Sequence, residues 1–446
     1  MRKLALLLVL VVLGVAGAYV AAGMQPGPAI TITKPGKFAG AAIPLEYDIK
    51  SGAVITSERV FFEQNGARVE VHTGPAPVGA AAPGAHGLNS IHANLTISAA
   101  AVPNLKVLAG PAKIIVVASA TIWKIRTVES EMATDVTIRL EKPRVSVVST
   151  KHYINLGGAE MIVYRATPSD VASGVKVGDI EYPGFATTGD LHIAFFALRY
   201  DQELKTPMSL YARDASGEVA TSDFDHMTFA KKPFKKSTIP LDDKFLDRVV
   251  PAILAGTNEV VPAGSTIDKF VVINSELRRR NNEKIRSMAE KTAPTMLWGT
   301  EVFYPFTNTK AEAAFADFRT YMYQGKEVDK QVHLGFDLAS FANASVVAAN
   351  KGKVLFAAEL GIYGNCVIID HGMGVQSLYG HLSSFAIKAG DMVERGQEIG
   401  KTGITGLAGG DHLHFTMLVN GQMVNPIEWW DPHWIADRIE RKLKEG

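Results

Sequence analysis

Cysteine is almost absent from the chain, and its scarcity excludes two classes of protein. A single cysteine, Cys366, occurs among the 446 residues, within the apolar run NCVIID. One cysteine cannot form an intrachain disulfide, and no CxxC pair exists to bind zinc through thiolates. The sequence therefore fits neither a disulfide-rich scaffold nor a cysteine-ligated zinc protein, and we interpret Cys366 as a small buried hydrophobic residue.

An excess of either charge is also missing. The chain carries 46 Lys and Arg against 45 Asp and Glu, a formal net charge of +1 at pH 7. This balance provides no electrostatic footprint for nucleic acid, so we expect no nucleic-acid partner. Apolar residues make up 47% of the chain, which is enough at this length to bury two or three cores.

The amino-terminal sequence MRKLALLLVLVVLGVAGAYVAAG joins a basic pair to an uncharged apolar stretch over residues 4–23. The stretch approaches the ~20 residues that span a bilayer and exceeds the roughly 7–15 residues of a signal-peptide core. Small residues near its end, such as Ala21, keep a cleaved signal peptide as the alternative. We favour an inner-membrane anchor, which places the remaining chain outside the cytoplasm, in the periplasm or cell envelope.

Composition divides the chain into segments, most of them rich in strands. Short β-type runs such as AKIIVVASATIWKI alternate with turns such as QNGA up to about residue 230, which is typical of sandwich-like domains. Helical spacing follows, and a second β-rich region begins near Trp298. We predict a mainly β protein with an anchor or signal segment (1–25), a β-sandwich-like domain (29–142), a second β-rich domain (143–232), a helical connector (233–298), a carboxy-terminal β-rich domain (299–431) and a terminal helix (432–446). The run HTGPAPVGAAAPGAHG is predicted to be a small-residue loop.

Three fragments of the last third carry metal-binding residue types. In QVHLGFDLAS, His333 and Asp337 lie four positions apart with Gly335 between them. In a single strand these three positions would share a face, and glycine would leave room between the two side chains. In VIIDHGMGVQSLYGHLSS, we predict a hairpin whose return strand delivers His381.

The third fragment, GLAGGDHLHF, places two histidines one residue apart behind a glycine-rich run. Alternation along a strand directs His412 and His414 to one side. The glycines at 406, 409 and 410 have no side chains, so we expect them to let a peptide approach the backbone closely. A catalytic zinc ion typically has three protein ligands and keeps one position for water. His333, Asp337 and one histidine of the pair would supply that set.

The motifs HLGFD, YGHLSS and GGDHLHF closely resemble those of the lysostaphin-like (LytM-type) zinc metalloendopeptidases, over about residues 300–430. The resemblance implies that the domain over residues 299–431 is a metallopeptidase with one zinc ion per chain, bound by His333, Asp337 and His414. It also implies that His381 and His412 are the catalytic histidines. Where the family often has a phenylalanine–glycine–arginine stretch, this chain has FADFRTYMYQGKEVDKQ, so the resemblance does not define the substrate groove.

The resemblance implies an endopeptidase that hydrolyses peptide cross-links of bacterial peptidoglycan through a zinc-activated water. The alternative is a non-catalytic, zinc-containing regulator of other cell-wall hydrolases, which would use both His412 and His414 as ligands and leave no open position. A periplasmic metal carrier would need a sequence richer in ligands. Protein partners of the amino-terminal β region are a further expectation.

Overall fold

The computed structural model describes residues 2–75, 89–230 and 232–446. The mainly β prediction is confirmed, since 46% of residues are in strands and 18% in helices. The predicted small-residue loop lies outside the described residues from position 76 onward. The chain divides into two compact units, residues 1–142 with 214–218, and residues 143–213 with 219–446.

The first unit begins with helix α1 (Arg2–Gly23). Residues Leu6–Gly23 of this helix are long and apolar enough to cross a membrane, a property that signal sequences share. Two sheets follow, ordered β1-β3-β6 and β2-β8-β7-β4-β5, and their alternating apolar residues form a common core. The strands are β1 (Ala29–Lys34), β2 (Phe38–Ala39), β3 (Ile43–Ser51), β4 (Val54–Gln64), β5 (Ala67–Pro75), β6 (Asn89–Ile97), β7 (Gly110–Ile122) and β8 (Arg126–Ile138).

The second unit opens with ten strands in three sheets, ordered β14-β15-β11-β9, β13-β12-β16-β17 and β10-β18. Continuous apolar runs such as MIVY and IAFFAL are buried on both faces, as expected for central strands. The strands are β9 (Arg144–Val147), β10 (His152–Asn155), β11 (Ala159–Thr167), β12 (Ala172–Val177), β13 (Ile180–Pro183), β14 (Phe185–Ala186), β15 (Leu191–Ala197), β16 (Met208–Arg213), β17 (Val219–Asp223) and β18 (His226–Phe229).

A helical segment follows β19 (Lys236–Leu241). Asp242 caps helix α2 (Asp243–Gly256) by accepting a hydrogen bond from the backbone N–H of Phe245. A second cap, a capping box between Ser265 and Asp268, begins a nearly continuous helix. It comprises α3 (Thr266–Val272), a π-helical turn (Ile273–Leu277), α4 (Arg278–Ser287) and a 3₁₀ turn (Met288–Lys291).

The carboxy-terminal region is built on one large antiparallel sheet, ordered β20-β23-β31-β27-β26-β25-β29, with β32 paired to β31. Two smaller sheets, β19-β21-β22 and β24-β30-β28, flank it. The strands are β20 (Lys310–Ala313), β21 (Asp317–Tyr323), β22 (Lys326–His333), β23 (Phe336–Ala339), β24 (Ser345–Val347), β25 (Gly352–Glu359), β26 (Asn365–Gly372), β27 (Val375–Leu382), β28 (Ser384–Phe385), β29 (Met392–Val393), β30 (Glu398–Lys401), β31 (Leu413–Val419) and β32 (Gln422–Val424). The chain ends in α5 (Pro432–Ile435), a π-helical turn (Ala436–Glu440) and α6 (Arg441–Leu443).

Candidate metal centre

The centre of the large sheet positions most of the residues singled out by the sequence. Asp337 on β23 lies directly opposite His414 on β31, and His414 lies opposite Gly380 on β27. His381 therefore follows the residue paired with His414, on the return strand of the predicted hairpin. His412 forms an isolated bridge with Gly403 just before β31 begins.

The expectation that His333 and Asp337 share one strand is wrong. His333 is the last residue of β22. Leu334 and Gly335 belong to no strand, and β23 begins at Phe336 in a different sheet. A Cβ at Gly335 would lie 2.6 Å from Nε2 of His414 and 2.4 Å from Oγ1 of Thr416. Glycine thus allows the chain to cross closely over His414, and the crossing brings His333 Nε2 to 2.9 Å from Asp337 Oδ1.

The tautomer of His333 follows from its surroundings. Its Nδ1 lies 3.1 Å from the backbone carbonyl oxygen of Ala314, which can only accept a hydrogen bond. In the neutral ring Nδ1 therefore carries the proton, and Nε2 presents a lone pair to Asp337.

His414 has the opposite tautomer. The hydroxyl of Thr416 donates to the carbonyl oxygen of Leu334 at 2.7 Å, so it accepts from His414 Nε2 at 3.0 Å. His414 Nδ1 is thus left with a lone pair, 3.0 Å from Asp337 Oδ1 and 3.0 Å from His333 Nε2. Two imidazole lone pairs and one carboxylate oxygen converge with no proton between them.

This arrangement of acceptors fits a metal ion. His333, Asp337 and His414 each offer one ligand atom, and the three atoms lie within 4.8 Å of one another. Ligands at 2.0–2.1 Å from a tetrahedral zinc ion are about 3.3 Å apart, close to the distances found here. Three acceptors in contact would repel one another, whereas a cation among them satisfies all three. The two nitrogens and one oxygen are a donor set that suits zinc.

Arg319 completes the surroundings of Asp337 and was not singled out by the sequence motifs. Its guanidinium lies 3.1 Å from Asp337 Oδ2 and 3.3 Å from Asp317 Oδ2. Burial acts to raise the pKa of Asp337, but the neighbouring histidines, His333 first, outweigh burial and hold this pKa well below its usual value, so the carboxylate is charged and can only accept. Alternation along β21 places Asp317 and Arg319 on one face. Asp337 follows Arg319 by 18 positions in the sequence, so residue spacing could not predict that the two side chains pair.

His381 and His412 stand beside these three residues. The Nδ1 of His381 lies 2.8 Å from the carbonyl oxygen of Thr405, and that of His412 lies 2.7 Å from the carbonyl oxygen of Gly410. Both rings therefore keep a lone pair on Nε2 when neutral. Their centroids are 4.8 Å apart, and His412 Nε2 lies 3.4 Å from Asp337 Oδ1.

The two rings differ in their electrostatics. Burial, together with the neighbouring His412 and His414, holds the pKa of His381 well below 6.5. Burial also acts to lower the pKa of His412, but the hydrogen bond and charge of Asp337 outweigh it and raise the pKa. His381 has a left-handed backbone, with φ of +63°, a conformation that a non-glycine residue rarely adopts and that is enriched at functional sites.

A cavity of about 440 Å³ opens over the candidate metal centre. Its lining includes all five predicted site residues, which are His333, Asp337, His381, His412 and His414. The segment that we predicted as a helical connector forms part of its wall through Leu241, Phe245 and Arg278. Of the loop glycines, Gly409 lines the cavity and Gly410 borders open space. Gly406 instead packs against Gly364, where a Cβ would lie 2.3 Å from the Gly364 nitrogen.

Comparison with known protein families finds a match in the region that contains the candidate metal centre. Residues 331–426 match the model of Peptidase family M23. The carboxy-terminal region is a peptidase M23 domain. The family resemblance drawn from the motifs is thereby confirmed.

Three curated relatives are similar to part of this chain. DD-carboxypeptidase/endopeptidase Mpg of Neisseria meningitidis is 42% identical over 97 residues, 22% of each chain. Peptidoglycan DD-endopeptidase ShyA of Vibrio cholerae is 38% identical over 96 residues, again 22% of each chain. Murein hydrolase activator EnvC of Escherichia coli is 36% identical over 95 residues, 21% of this chain and 23% of EnvC. The alignments thus span less than a quarter of these relatives.

Part of this chain is also similar to the solved catalytic domain of lysostaphin from Staphylococcus simulans, at 27% identity and a TM-score of 0.25. That similarity covers 28% of this chain and 92% of the lysostaphin domain. The ligand and catalytic roles of the five residues remain predictions.

Proposed function

We propose that this protein is a zinc-dependent endopeptidase that hydrolyses peptide cross-links of peptidoglycan outside the cytoplasm. The observation that carries the proposal is the convergence of three acceptors, His333 Nε2, Asp337 Oδ1 and His414 Nδ1, beside two further histidines with free lone pairs. The substrate class rests on relatives such as ShyA, named a peptidoglycan DD-endopeptidase.

In this proposal, His333, Asp337 and His414 hold the ion. A bound zinc ion would lower the pKa of a coordinated water from 15.7 to about 7, so that a nucleophile is available near neutral pH. The fixed N–H groups on the far side of both ligand rings hold their orientation, and the Arg319 guanidinium holds the second oxygen of Asp337.

His412 and His381 serve the proton transfers. The Nε2 of His412 lies next to Asp337 and is suited to accept a proton from the attacking water. His381 Nε2 is suited to stabilise the oxyanion or, once protonated, to donate to the leaving amine. The scissile C–N bond then breaks, with the water oxygen on the new carboxylate and both water protons on the new amine, which leaves as an ammonium group. The two roles are exchangeable between these rings.

The alternative is a non-catalytic activator, in keeping with the name of EnvC. That function does not need a cavity-facing pair of imidazoles and, with both His412 and His414 as ligands, would leave no open position. In the part of the chain that the structure describes, the group of mutually close ligand atoms contains His414 but not His412. The three-residue set favours the enzyme.

The decisive experiment uses the full-length protein in detergent. It is incubated with purified peptidoglycan, with and without a chelator, and the released fragments are identified by mass spectrometry. We expect chelator-sensitive cleavage of peptide cross-links. His381→Ala should lose about 100- to 10,000-fold in rate while retaining one zinc ion per chain. Intact peptidoglycan with the zinc-loaded wild type would favour the activator.

Helix α1 gives the proposal its location. Its apolar residues Leu6–Gly23 are compatible with an anchor in the inner membrane or with a signal sequence. Either role carries the M23 domain across the membrane, to the side where peptidoglycan lies. Fractionation of cells expressing the protein, followed by sequencing of its amino terminus, distinguishes an anchor from a cleaved signal.

A further inference from the structure

A second cavity of about 400 Å³ adjoins the cavity over the candidate metal centre. The two share a boundary lined by the same five residues, which are Arg278, Asn282, Arg319, Val332 and Leu334. A peptide held over the three ligands can therefore extend into the second cavity. We call this second cavity the extension.

The extension is cationic. Its lining includes Lys236, Arg278, Arg319 and Lys330, and none of its lining residues is acidic. Phe318 and Tyr200 add partly exposed aromatic rings, whose centroids are 6.1 Å apart in a T-shaped contact. The extension thus combines positive charge with an apolar wall, as a site for an acidic peptide requires.

Two of the four cations already have carboxylate partners. Arg319 pairs with Asp317 and Asp337, and the exposed Lys330 lies 2.9 Å from Glu327. For Lys236, the described residues provide no carboxylate oxygen within 4.0 Å. Its charge is free to attract an anion.

Arg278 is held at the boundary by a neutral partner. Its Nε donates to the carbonyl oxygen of Asn274 at 2.9 Å, and a terminal nitrogen donates to the Asn274 side chain. Asn274 is fully buried and donates to Asp329 at 2.7 Å. The guanidinium is therefore oriented, but no carboxylate of the described residues neutralises it. An oriented, uncompensated guanidinium beside a cavity is a binding group for carboxylate.

We propose that the extension binds a free carboxylate of the peptide substrate, with Arg278 as the principal contact and Lys236 as the supporting charge. The bound carboxylate would fix the register of the peptide so that the bond to be cut lies over the metal centre. The substrate class is thus an acidic peptide. This inference rests on the proposed endopeptidase function, and a binding experiment separates the two.

The test measures binding without turnover. The full-length His381→Ala protein is titrated against two fluorescently labelled, cross-linked muropeptide dimers, one with its free carboxylates intact and one with them amidated. We expect the acidic dimer to bind at least tenfold tighter. Adding Arg278→Gln should weaken binding of the acidic dimer about tenfold, because the charge-assisted pair between Arg278 and the free carboxylate is lost. Binding of the amidated dimer, which has no such carboxylate, should be unchanged.

Arg279→Gln is the matched control, because Arg279 is the next residue on the same helix and pairs with Glu276 and Glu283 at the surface. It should change neither affinity. Arg278→Lys should restore part of the preference for the acidic dimer. Equal affinity of the parent protein for both dimers would overturn the inference. Equal weakening of both by Arg278→Gln would also overturn it, because that result indicates a structural role.

The outcome does not depend on hydrolysis. If the wild type cuts no peptidoglycan but the acidic dimer binds through Arg278, the proposed enzyme fails and the carboxylate site stands. If the wild type cuts peptidoglycan and both dimers bind alike, the enzyme stands and the carboxylate site fails.

Discussion

At the scale of the residue, the candidate metal centre depends on where each imidazole keeps its proton. His333 donates from Nδ1 to Ala314, and His414 donates from Nε2 to Thr416. Each ring is therefore fixed in the tautomer that turns a lone pair toward Asp337. Groups behind the ligands determine this geometry, so substitutions there should alter metal affinity without removing a ligand.

Arg319→Gln tests this at Asp337. The substitution removes the guanidinium that lies 3.1 Å from Oδ2, so the carboxylate loses both a charge partner and its orientation. We expect the affinity for zinc to fall about 10- to 100-fold. Competition with a fluorescent chelator measures it. Lys326→Gln, at an exposed position on β22, is the control. Wild-type affinity in Arg319→Gln would show that Asp337 needs no such partner.

Gly335→Ala tests the close crossing over His414. The new methyl group would lie 2.4–2.6 Å from Thr416 and His414, so one of them must move. We expect a stability loss of about 1–3 kcal/mol and an affinity for zinc at least tenfold lower. Gly52→Ala, whose Cβ would meet no atom within 4 Å, should change neither property. Thermal unfolding measures the change in stability, and zinc titration measures the change in affinity. Unchanged zinc binding in Gly335→Ala would contradict the steric explanation.

At the scale of the element, the sequence predicted local features better than long-range ones. The hairpin formed by β26 and β27 follows from its turn residues, and it delivers His381 as predicted. Alternation correctly placed His412 and His414 on one side, facing Asp337. The break at Gly335 was missed, because a glycine within a strand pattern does not reveal that two sheets meet there. Arg319 was missed because its partner depends on sheet packing.

The same hairpin contains a histidine that should make stability depend on pH. His371 is fully buried, donates from Nδ1 to Lys351 and accepts at Nε2 from Ser377. Burial lowers its pKa to about 4, against 6.5 in an exposed ring. Between these values the unfolded chain binds the extra proton, so stability falls as the pH drops below about 6.5. The loss from this group approaches about 2 kcal/mol by pH 5.

Urea unfolding at pH 7.5 and pH 5 measures this effect. His371→Gln, which keeps a donor and an acceptor but does not titrate, should reduce the loss of stability between the two pH values. His433→Gln, at an exposed site, should leave the loss as in wild type. An identical loss in His371→Gln and wild type would locate the pH sensitivity elsewhere.

At the scale of the second unit, the M23 domain shares its core with neighbouring segments. One hydrophobic cluster runs from Ile154 in β10 through Trp298 to Ile439 near the carboxy terminus. Glu428 accepts hydrogen bonds from Asn155 and from the backbone of Ala159. These contacts join residues more than 260 positions apart, so spacing in the sequence could not predict them. Residues 143–213 therefore pack against the M23 domain and share its core.

A buried ion pair reinforces this joint core. Lys442 of α6 lies 2.6 Å from Glu160 of β11, and both side chains are fully buried. Burial raises the pKa of Glu160 and lowers that of Lys442 to about 8, while their mutual attraction opposes both shifts. Backbone N–H groups of Tyr153 and Met161 donate to the same carboxylate and favour its charged form. Removing Lys442 leaves Glu160 only a more distant cation, Arg438, whose Nε lies 3.7 Å from Oε2.

Lys442→Met should therefore destabilise the second unit by about 3–5 kcal/mol. Adding Glu160→Gln should recover much of the loss, because the double variant buries no unpaired carboxylate. Lys444→Met, two residues away and exposed, is the control for removing a lysine from this helix. Urea unfolding of the wild type, Lys442→Met, Glu160→Gln and the double variant gives the coupling energy. If Lys442→Met were as stable as Lys444→Met, the terminal helix would contribute only its apolar face, and the second unit would not depend on the pair.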